Sequence, residues 1–258
     1  MEAPLAPEQG RGVTDFDGWM EALTARHQSD LTFAELSRSL RALSSTYVER
    51  RHKLREGAAL AGAGKRAAFA LFYGPLHHLL IREIVRALPA ANAGARTLDD
   101  LGCGTGAAGA AWASECKRRP EVLGIDHHPW ALEEATQTYR QFHLRSRTRR
   151  GDVAAMPLPP SPALLLAAFT VNELPDKARA ALLPRLLDRR SRGDRVLVVE
   201  PLAGGVAPWW SEWRDAFVAA GGRADEWRLR IDLPPIVQKL DRAAGLNHRE
   251  LTGRSLWL

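Results

Sequence analysis

The residues of this sequence best suited to chemistry lie in a run of glycines that follows an acid. Residues 98–106 read Leu-Asp-Asp-Leu-Gly-Cys-Gly-Thr-Gly, an apolar stretch that leads into an alanine-rich segment. Glycine lets a backbone turn sharply and approach a ligand closely. Asp100 precedes these glycines, can accept a hydrogen bond from an ammonium group, and would repel a pyrophosphate. The pattern predicts a site for a nucleotide-like ligand that carries positive charge.

A second acid follows at the spacing of a ribose-binding residue. Residues 124–126 read Gly-Ile-Asp, so Asp126 lies 20 residues after Gly106. In βαβ nucleotide sites this interval places an acid on the ribose hydroxyls. Residues 104–109 also satisfy the G-x-G-x-x-G pattern of dinucleotide sites, which is a weak signal alone. Asp100 beside the glycines, and Asp152 beyond a third strand, favour the positively charged ligand.

The elements that must position these residues form two regions. Helical patterns cover residues 14–27, 32–44, 45–57 and 64–88, with a capping box at Thr32 and Glu35, and the first dozen residues look flexible. After a small-residue linker at 89–96, apolar runs at 97–101, 122–126, 164–169 and 196–200 alternate with helical patterns that begin near residues 106, 129 and 176. The alternation predicts an α/β fold with a Rossmann-like parallel sheet. We expect an N-terminal helical extension or cap at 1–90, packed over the carboxyl ends of the strands, and a ligand-binding domain at 91–258.

The sequence Asp-Leu-Gly-Cys-Gly-Thr-Gly followed by Gly-Ile-Asp resembles motifs I and II of the class I S-adenosylmethionine-dependent methyltransferases, over roughly residues 95–200. The resemblance implies a Rossmann-like methyltransferase sheet, S-adenosylmethionine as cofactor and S-adenosylhomocysteine as product. It assigns residues as follows: Asp100, Gly102, Cys103, Gly104 and Gly106 to the methionine end, Asp126 to the ribose, His127 (or His128 or Trp130) to the adenine face, Asp152 with Val153 to the adenine edge, and Phe169 to the border of the methyl group.

Four residues are candidates for the acceptor side. Asn172 offers a donor and an acceptor and Glu173 can take a proton; alternatively, Asn172 caps a helix and Glu173 is solvated. Tyr73 could cover the sulfonium and His77 (or His78) could act as a base; alternatively, Tyr73 and one histidine are half-buried packing residues. Methyl transfer from an activated sulfonium mainly requires alignment, so a catalytic signature is not obligatory. We expect no metal site.

Further segments resemble the ribosomal-small-subunit-associated methyltransferase family of bacteria and mitochondria. They are residues 43–51 (Leu-Ser-Ser-Thr-Tyr-Val-Glu-Arg-Arg), 172–175 (Asn-Glu-Leu-Pro) and 198–201 (Val-Val-Glu-Pro). This resemblance implies ribosomal RNA, or an assembling ribosome, as the partner. The chain departs from that family because residues 201–258 contain no cysteine.

Two other functions stay open at this point. Glycines at 204 and 205 and the aromatic residues beyond them could wall a pocket for a small-molecule acceptor, although helical spacing favours the core for about two of the tryptophans. The aromatic residues of this segment are the four tryptophans Trp209, Trp210, Trp213 and Trp227. A non-catalytic, donor-binding assembly factor is the third class, because the donor motifs report binding and not turnover.

Composition bounds the class of protein. The net charge is +6, and the two cysteines form no ligand pattern, so we expect no disulfide or zinc site. No apolar run is long enough for a membrane span and no secretory signal is recognised, so we expect a cytoplasmic protein with no membrane partner. The local basic cluster comprises Arg145, Arg147, Arg149 and Arg150. The sequence does not indicate the oligomeric state. It also leaves two alternatives for the methyl acceptor: RNA or the ribosome, and a small molecule.

Overall fold

The computed structural model describes residues 14–29, 31–49, 60–202 and 207–258. Its helices are α1 (Asp15–His27), α2 (Phe33–Glu49), α3 (Ala63–Ala68), α4 (Gly74–Ala87), α5 (Ala107–Glu115), α6 (Pro129–Gln141), α7 (Asp176–Asp188), α8 (Trp210–Ala219) and α9 (Pro235–Ala244). A π-helix (Phe69–Tyr73) joins α3 to α4, and short 3-10 turns lie at Pro89–Asn92, Val171–Glu173 and Arg189–Arg192. The strands are β1 (Thr97–Leu101), β2 (Glu121–Asp126), β3 (Ser146–Arg150), β4 (Leu164–Ala168), β5 (Arg195–Glu200), β6 (Arg223–Leu229) and β7 (Leu251–Trp257).

The seven strands form one sheet in the order β3-β2-β1-β4-β5-β7-β6. Strands β1 to β5 are parallel, and β7 runs antiparallel to both β5 and β6. The chain leaves β1 toward β2 on one side and returns to β4 on the other. The carboxyl ends of β1 and β4 therefore border the crevice where ligands bind in open α/β sheets.

Helices cover both faces of the sheet, which explains why β4 and most of β5 are continuous apolar runs. Every residue of β4 is buried, as are residues 196–200 of β5. Strand β3 reads Ser-Arg-Thr-Arg-Arg and lies at an edge of the sheet, where its arginine side chains stay in water. One apolar cluster lies between the sheet and helices α7 and α8, and a larger one lies on the opposite face with α5 and α6.

The N-terminal helices share the larger core. Trp19, Leu40 and Phe72 are buried together with Leu98 of β1 and Trp112 of α5. Helix α4 packs along α5 with the same direction: Gly74 at its start lies beside Thr105, and Arg86 near its end pairs with Glu115 of α5. The core is therefore continuous across residue 90. The helices cover one face of the sheet and reach its carboxyl edge where the π-helix enters α4.

Several local predictions can be compared with these elements. The capping box is confirmed, since Thr32 and Glu35 bond reciprocally. The predicted break between a helix at 32–44 and another at 45–57 is wrong, because Phe33–Glu49 is one helix. Residues 50–59, like residues 1–12, lie outside the described residues. The pattern at 64–88 is helical throughout, but it changes pitch at the π-helix. No helix in the described part of the chain is long and apolar enough to cross a bilayer.

Candidate cofactor and active site

The glycine loop, residues 102–106, connects β1 to α5 through three left-handed glycines. Gly102, Gly104 and Gly106 have φ values of +69°, +51° and +75°. The backbone N–H groups of Gly102 and Cys103 both donate to the carbonyl oxygen of Ile125, at 2.8 and 2.9 Å. This pairing ties the loop to the end of β2. A side chain at Gly106 would meet the backbone of Ala135, so the turn into α5 needs glycine for space as well as for its dihedral angle.

Asp126 holds the glycine loop against the end of β2. Its Oδ2 accepts from the backbone N–H of Gly104 at 3.0 Å, and its Oδ1 accepts from the backbone N–H of His128 at 2.8 Å. A carboxylate has about four lone-pair sites, so two stay available for further donors. The side chain is 11% exposed, and this edge is the one open to a ligand. The predicted contact of Asp126 with a ribose diol stays a prediction.

Asp100, which the sequence predicts to contact an ammonium group, is almost fully buried. The residue is 1% exposed, and its Oδ2 accepts from the backbone N–H of Gly109 at 3.1 Å and from the hydroxyl of Tyr139 at 3.0 Å. Burial raises the pKa of Asp100 to about 7. In the structure this carboxyl group joins β1 to α5 and α6 and supports the glycine loop from below. Its predicted contact with an ammonium group stays a prediction.

Thr170 connects the glycine loop to β4, a link that sequence reasoning missed. Its hydroxyl lies 2.9 Å from the carbonyl oxygen of Leu101 and 3.1 Å from that of Ala168. A side chain at Gly102 would overlap Thr170. The preceding residue, Phe169, adopts a positive φ of 60°, which is rare for a bulky residue and typical of functional sites. The carboxyl ends of β1 and β4 are thereby held in contact.

Phe169 belongs to an aromatic cluster at the glycine loop, which comprises Phe69, Tyr73, His77 and Phe169, all half-buried. Its ring stacks on that of His77 with centroids 3.9 Å apart and an interplanar angle of 17°. Phe69, Tyr73 and His77 follow one another at intervals of four residues, so they share a helix face. A side chain at Gly104 would touch the ring of Phe69. The π-helix thus carries aromatic rings directly onto the loop, and π-helices are frequent at functional sites.

The two neighbouring histidines differ in environment. His78 is 2% exposed, its Nδ1 lies 3.2 Å from the carbonyl oxygen of Ala107, and its ring stacks on Phe16 and Phe142. It is a core residue. Burial lowers the pKa of His77 to about 3, so its imidazole is neutral and only weakly basic near neutral pH. The proton-accepting role predicted for His77 stays a prediction, and a neutral imidazole at this position can stack and form hydrogen bonds.

Burial also raises the pKa of Tyr73, which keeps its hydroxyl protonated. Its side chain forms a hydrogen bond with Ser44 of α2. Tyr73 is therefore partly a packing residue, as the alternative interpretation held, and its ring also joins the aromatic cluster. The structure brings Tyr73 and His77 together with Phe169, although the sequence separates them by nearly a hundred residues.

Asn172 and Glu173 lie in the 3-10 turn after β4. The backbone N–H of Asn172 donates to Oε1 of Glu200 at 3.0 Å, and its side-chain Oδ1 lies 3.4 Å from Nε1 of Trp209. Helix α7 has Pro175 at its N-cap position and no side-chain cap, so the alternative role of Asn172 as a helix cap is wrong. Glu173 is exposed. Glu200 is fully buried, which raises its pKa to about 8, and sequence reasoning missed its support of this turn.

The remaining predicted residues lie around the same edge. His127 is exposed, with its Nδ1 3.5 Å from Oδ1 of Asp126. Asp152 is exposed and accepts from the backbone N–H of Ala154 at 2.9 Å. Val153 and Cys103 are buried. Each borders the strand ends at which a ligand would lie.

The tryptophan-rich segment forms core more than pocket. Trp209, Trp210 and Trp213 are at most 8% exposed and pack with one another and with Phe217 of α8. Trp227 is half-buried, and its Nε1 donates to Ser255 at 2.9 Å. Helical spacing thus buries one more of them than expected. The glycines at 204 and 205, which the acceptor-wall hypothesis also used, lie outside the described residues.

Comparison with known proteins relates the sequence and the fold to methyltransferases. Residues 99–189 match the sequence profile of a methyltransferase domain family. The mitomycin 7-O-methyltransferase MmcR has a similar structure, with a TM-score of 0.52 and 16% identity over 94% of this chain and 74% of that one. NcsB1 is an O-methyltransferase from neocarzinostatin biosynthesis, solved in complex with S-adenosylmethionine and 2-hydroxy-5-methyl naphthoic acid. Its TM-score is 0.48, with 16% identity over 93% of this chain and 72% of that one. A comparison with curated proteins gave no match.

The fold is the Rossmann-like fold of class I methyltransferases, residues 99–189 form the matched methyltransferase domain, and S-adenosylmethionine is its cofactor. The matched domain runs from β1 to the start of the turn after α7. The N-terminal helices and the antiparallel strand pair β6 and β7 lie outside this match, although the likeness to MmcR covers nearly the whole chain. At 16% identity that likeness establishes the fold and not the acceptor.

Proposed function

We propose that the protein transfers a methyl group to a nitrogen or oxygen atom of an RNA nucleobase, with ribosomal RNA as the first candidate. The observation that carries the proposal is the aromatic cluster, in which Phe69 lies against the glycine loop and His77 stacks on Phe169 after the end of β4. Proteins that modify a base take it out of the stack and hold it against aromatic side chains. Stacking on such a ring contributes about 1–3 kcal/mol per base.

The chemistry available at the cluster suits an acceptor that needs little proton transfer. S-adenosylmethionine supplies a methyl carbon already activated by its sulfonium, and the protein must align an attacking lone pair with it. A ring nitrogen with a free lone pair attacks without first losing a proton, so a strong base is unnecessary. Neutral His77 can accept or donate a hydrogen bond, and the Asn172 amide can do both. These groups orient an acceptor rather than deprotonate it.

Charge beside the donor site supports a polyanionic acceptor. Arg149 and Arg150, at the carboxyl end of β3, are exposed, and neither pairs with a carboxylate within the described ranges. Nε of Arg150 donates to the carbonyl oxygen of His127, the residue after Asp126, at 3.2 Å. Exposed arginines contribute to RNA binding by releasing counterions from phosphates. The resemblance to ribosome-associated methyltransferases points to the same acceptor.

Methyl transfer from labelled S-adenosylmethionine tests the proposal. The acceptors are isolated small ribosomal subunits, deproteinised ribosomal RNA, and a panel of phenols and amines. We expect label in RNA and a loss of at least tenfold in the Phe169→Ala variant, because one stacking contact is removed. Phe33→Ala is the matched control, since Phe33 is an exposed phenylalanine of α2.

The other two function classes give different outcomes. Label in a phenol or amine but not in RNA would contradict the RNA acceptor and establish a small-molecule methyltransferase. Tight donor binding with no transfer to any acceptor, together with association with the ribosomal subunit, would indicate a non-catalytic assembly factor. Transfer to RNA that is unaffected by Phe169→Ala would remove the aromatic cluster from the acceptor site.

A further inference from the structure

A cavity lined almost entirely by arginines opens at the amino edge of the sheet, opposite the cofactor site. Its volume is about 240 Å³, and its lining consists of Ala95, Arg96, Arg118, Arg119 and Arg145. We name it the arginine pocket. Gly102 lies six residues after Arg96 along β1, so the pocket is about 20 Å from the glycine loop at a rise of about 3.3 Å per residue.

The sheet brings these arginines together although they are distant in sequence. Arg96 directly precedes β1, Arg118 and Arg119 precede β2, and Arg145 directly precedes β3. The ladder extends to these positions, since the backbone N–H of Glu121 donates to the carbonyl oxygen of Arg96 and that of Val122 donates to the carbonyl oxygen of Arg145, each at 2.9 Å. Adjacent strands lie about 4.8 Å apart, so three successive strand starts place their guanidinium groups around one opening.

The pocket carries uncompensated positive charge. Arg119 is anchored: it donates to the carbonyl oxygen of Phe142 at 2.8 Å and to Asp15 at 3.0 Å. Within the described residues, Arg96, Arg118 and Arg145 form no ion pair. The nearby acids are engaged elsewhere, Glu115 with Arg86 and Glu121 with Arg147. Four arginines and one paired aspartate leave a net charge of +3 at this opening.

We infer that the arginine pocket binds phosphate groups. Like charges held this close repel one another, and a bound anion removes that cost. Guanidinium groups match phosphate oxygens in a planar, two-pronged geometry, and the cavity has room for a phosphate group with some of its water. The phosphate is either a phosphodiester of an RNA strand or a free phosphate. This inference is independent of the proposed function, because it concerns binding about 20 Å away from the donor site.

A triple variant, Arg96→Ala, Arg118→Ala and Arg145→Ala, tests the inference by binding. All three side chains are exposed, so the fold should persist, and Arg119 is kept because it anchors α1. The control triple variant, Arg192→Ala, Arg214→Ala and Arg228→Ala, removes the same net charge from exposed positions elsewhere. Thermal unfolding of both variants checks their folding. A third variant with lysine at positions 96, 118 and 145 keeps the charge and loses the two-pronged geometry.

Two probes distinguish the sources of phosphate. The first is a fluorescent oligouridylate followed by anisotropy at several salt concentrations, and the second is inorganic phosphate followed by the width of its phosphorus NMR signal. For RNA we expect the pocket variant to bind at least tenfold more weakly at low salt, with a salt slope smaller by about 2, since each lost contact with a single strand contributes about 0.7. The control should behave as the wild type, and the lysine variant should keep most of the slope.

Each result decides the inference. Loss of RNA binding alone assigns the pocket to phosphodiesters, and loss of inorganic phosphate binding alone assigns it to a free phosphate. Equal behaviour of the pocket variant and the control with both probes overturns the inference. Failure of methyl transfer to RNA, with binding at the pocket retained, would contradict only the proposed function.

Discussion

Oδ2 of Asp126 accepts a 3.0 Å hydrogen bond from the backbone N–H of Gly104, which joins the end of β2 to the loop that follows β1. The same carboxylate accepts from His128 and keeps lone pairs free at the open edge. Asp126 thus shapes the loop and is also the residue that the sequence predicts to bind a ribose. Substitutions at this residue should separate the two roles.

Asp126→Ala should weaken S-adenosylmethionine binding by about 1.5–3 kcal/mol, which is the cost of losing charge-assisted hydrogen bonds. Asp126→Asn keeps one acceptor oxygen and should lose less. Isothermal titration calorimetry measures both. Asp188→Ala is the control, because Asp188 forms only an exposed ion pair with Arg192. Unchanged affinity in a folded Asp126→Ala variant would exclude this residue from the cofactor site.

His77→Phe should retain most of the activity, whereas His77→Ala should lose about tenfold or more, because the phenyl ring preserves the stack on Phe169. Since burial lowers the pKa of His77 to about 3, the imidazole does not titrate near neutral pH. The wild-type dependence of kcat/KM on pH should therefore show no step from His77 between about pH 5 and pH 8. A step in that range that disappears in His77→Phe would show that His77 acts as a base.

Glu200→Ala should lower kcat more than it raises the KM for the donor. The reason is that Glu200 holds the turn that carries Asn172, on the predicted acceptor side of the site. Glu200 is a positioning residue. Glu200→Gln keeps the oxygen that accepts from the Asn172 N–H and should restore most of kcat. Equal losses in the two variants would mean that charge, and not this hydrogen bond, is what matters.

Asp99→Asn should stabilise the protein above neutral pH. Burial raises the pKa of Asp99 from 3.8 to about 7, against the opposing effect of Arg189, Arg149 and Arg147, and Asp194 raises it further. Its Oδ2 has no hydrogen-bond partner among the described residues. At a pH between 3.8 and about 7, Asp99 holds a proton in the folded state that it has released in the unfolded state, so the free energy of unfolding falls as pH rises.

The amide introduced by Asp99→Asn would not ionise, so the variant's advantage in melting temperature should grow from about pH 5 to pH 8. Each kcal/mol corresponds to about 2–4 °C for a chain of this size. Differential scanning calorimetry at both pH values provides the measurement. A constant difference between the two proteins would show that Asp99 does not change its protonation in this range. Asp188→Asn at an exposed position serves as control.

The sequence alone predicted the donor half of the site because that half is local. Glycines between a strand and a helix, and an acid 20 residues later at the end of the next strand, are set by backbone geometry and short spacing. Strands β2, β4 and β5 were predictable because strands buried on both faces are rich in apolar residues, and β1, which reads Thr-Leu-Asp-Asp-Leu, was predictable because the glycines follow it. Polar β3 and the antiparallel strands β6 and β7 carry no such run, so the apolar pattern did not locate them.

Only the tertiary structure decided what the glycine loop meets. The stack of His77 on Phe169, the support of Asn172 by Glu200 and the gathering of Arg96, Arg118 and Arg145 all join residues distant in sequence. Such contacts depend on which strands become neighbours and on how the N-terminal helices pack, and no local pattern encodes either. The same holds for the pKa values of His77 and Asp99, because burial is a property of the packed core and not of the residue.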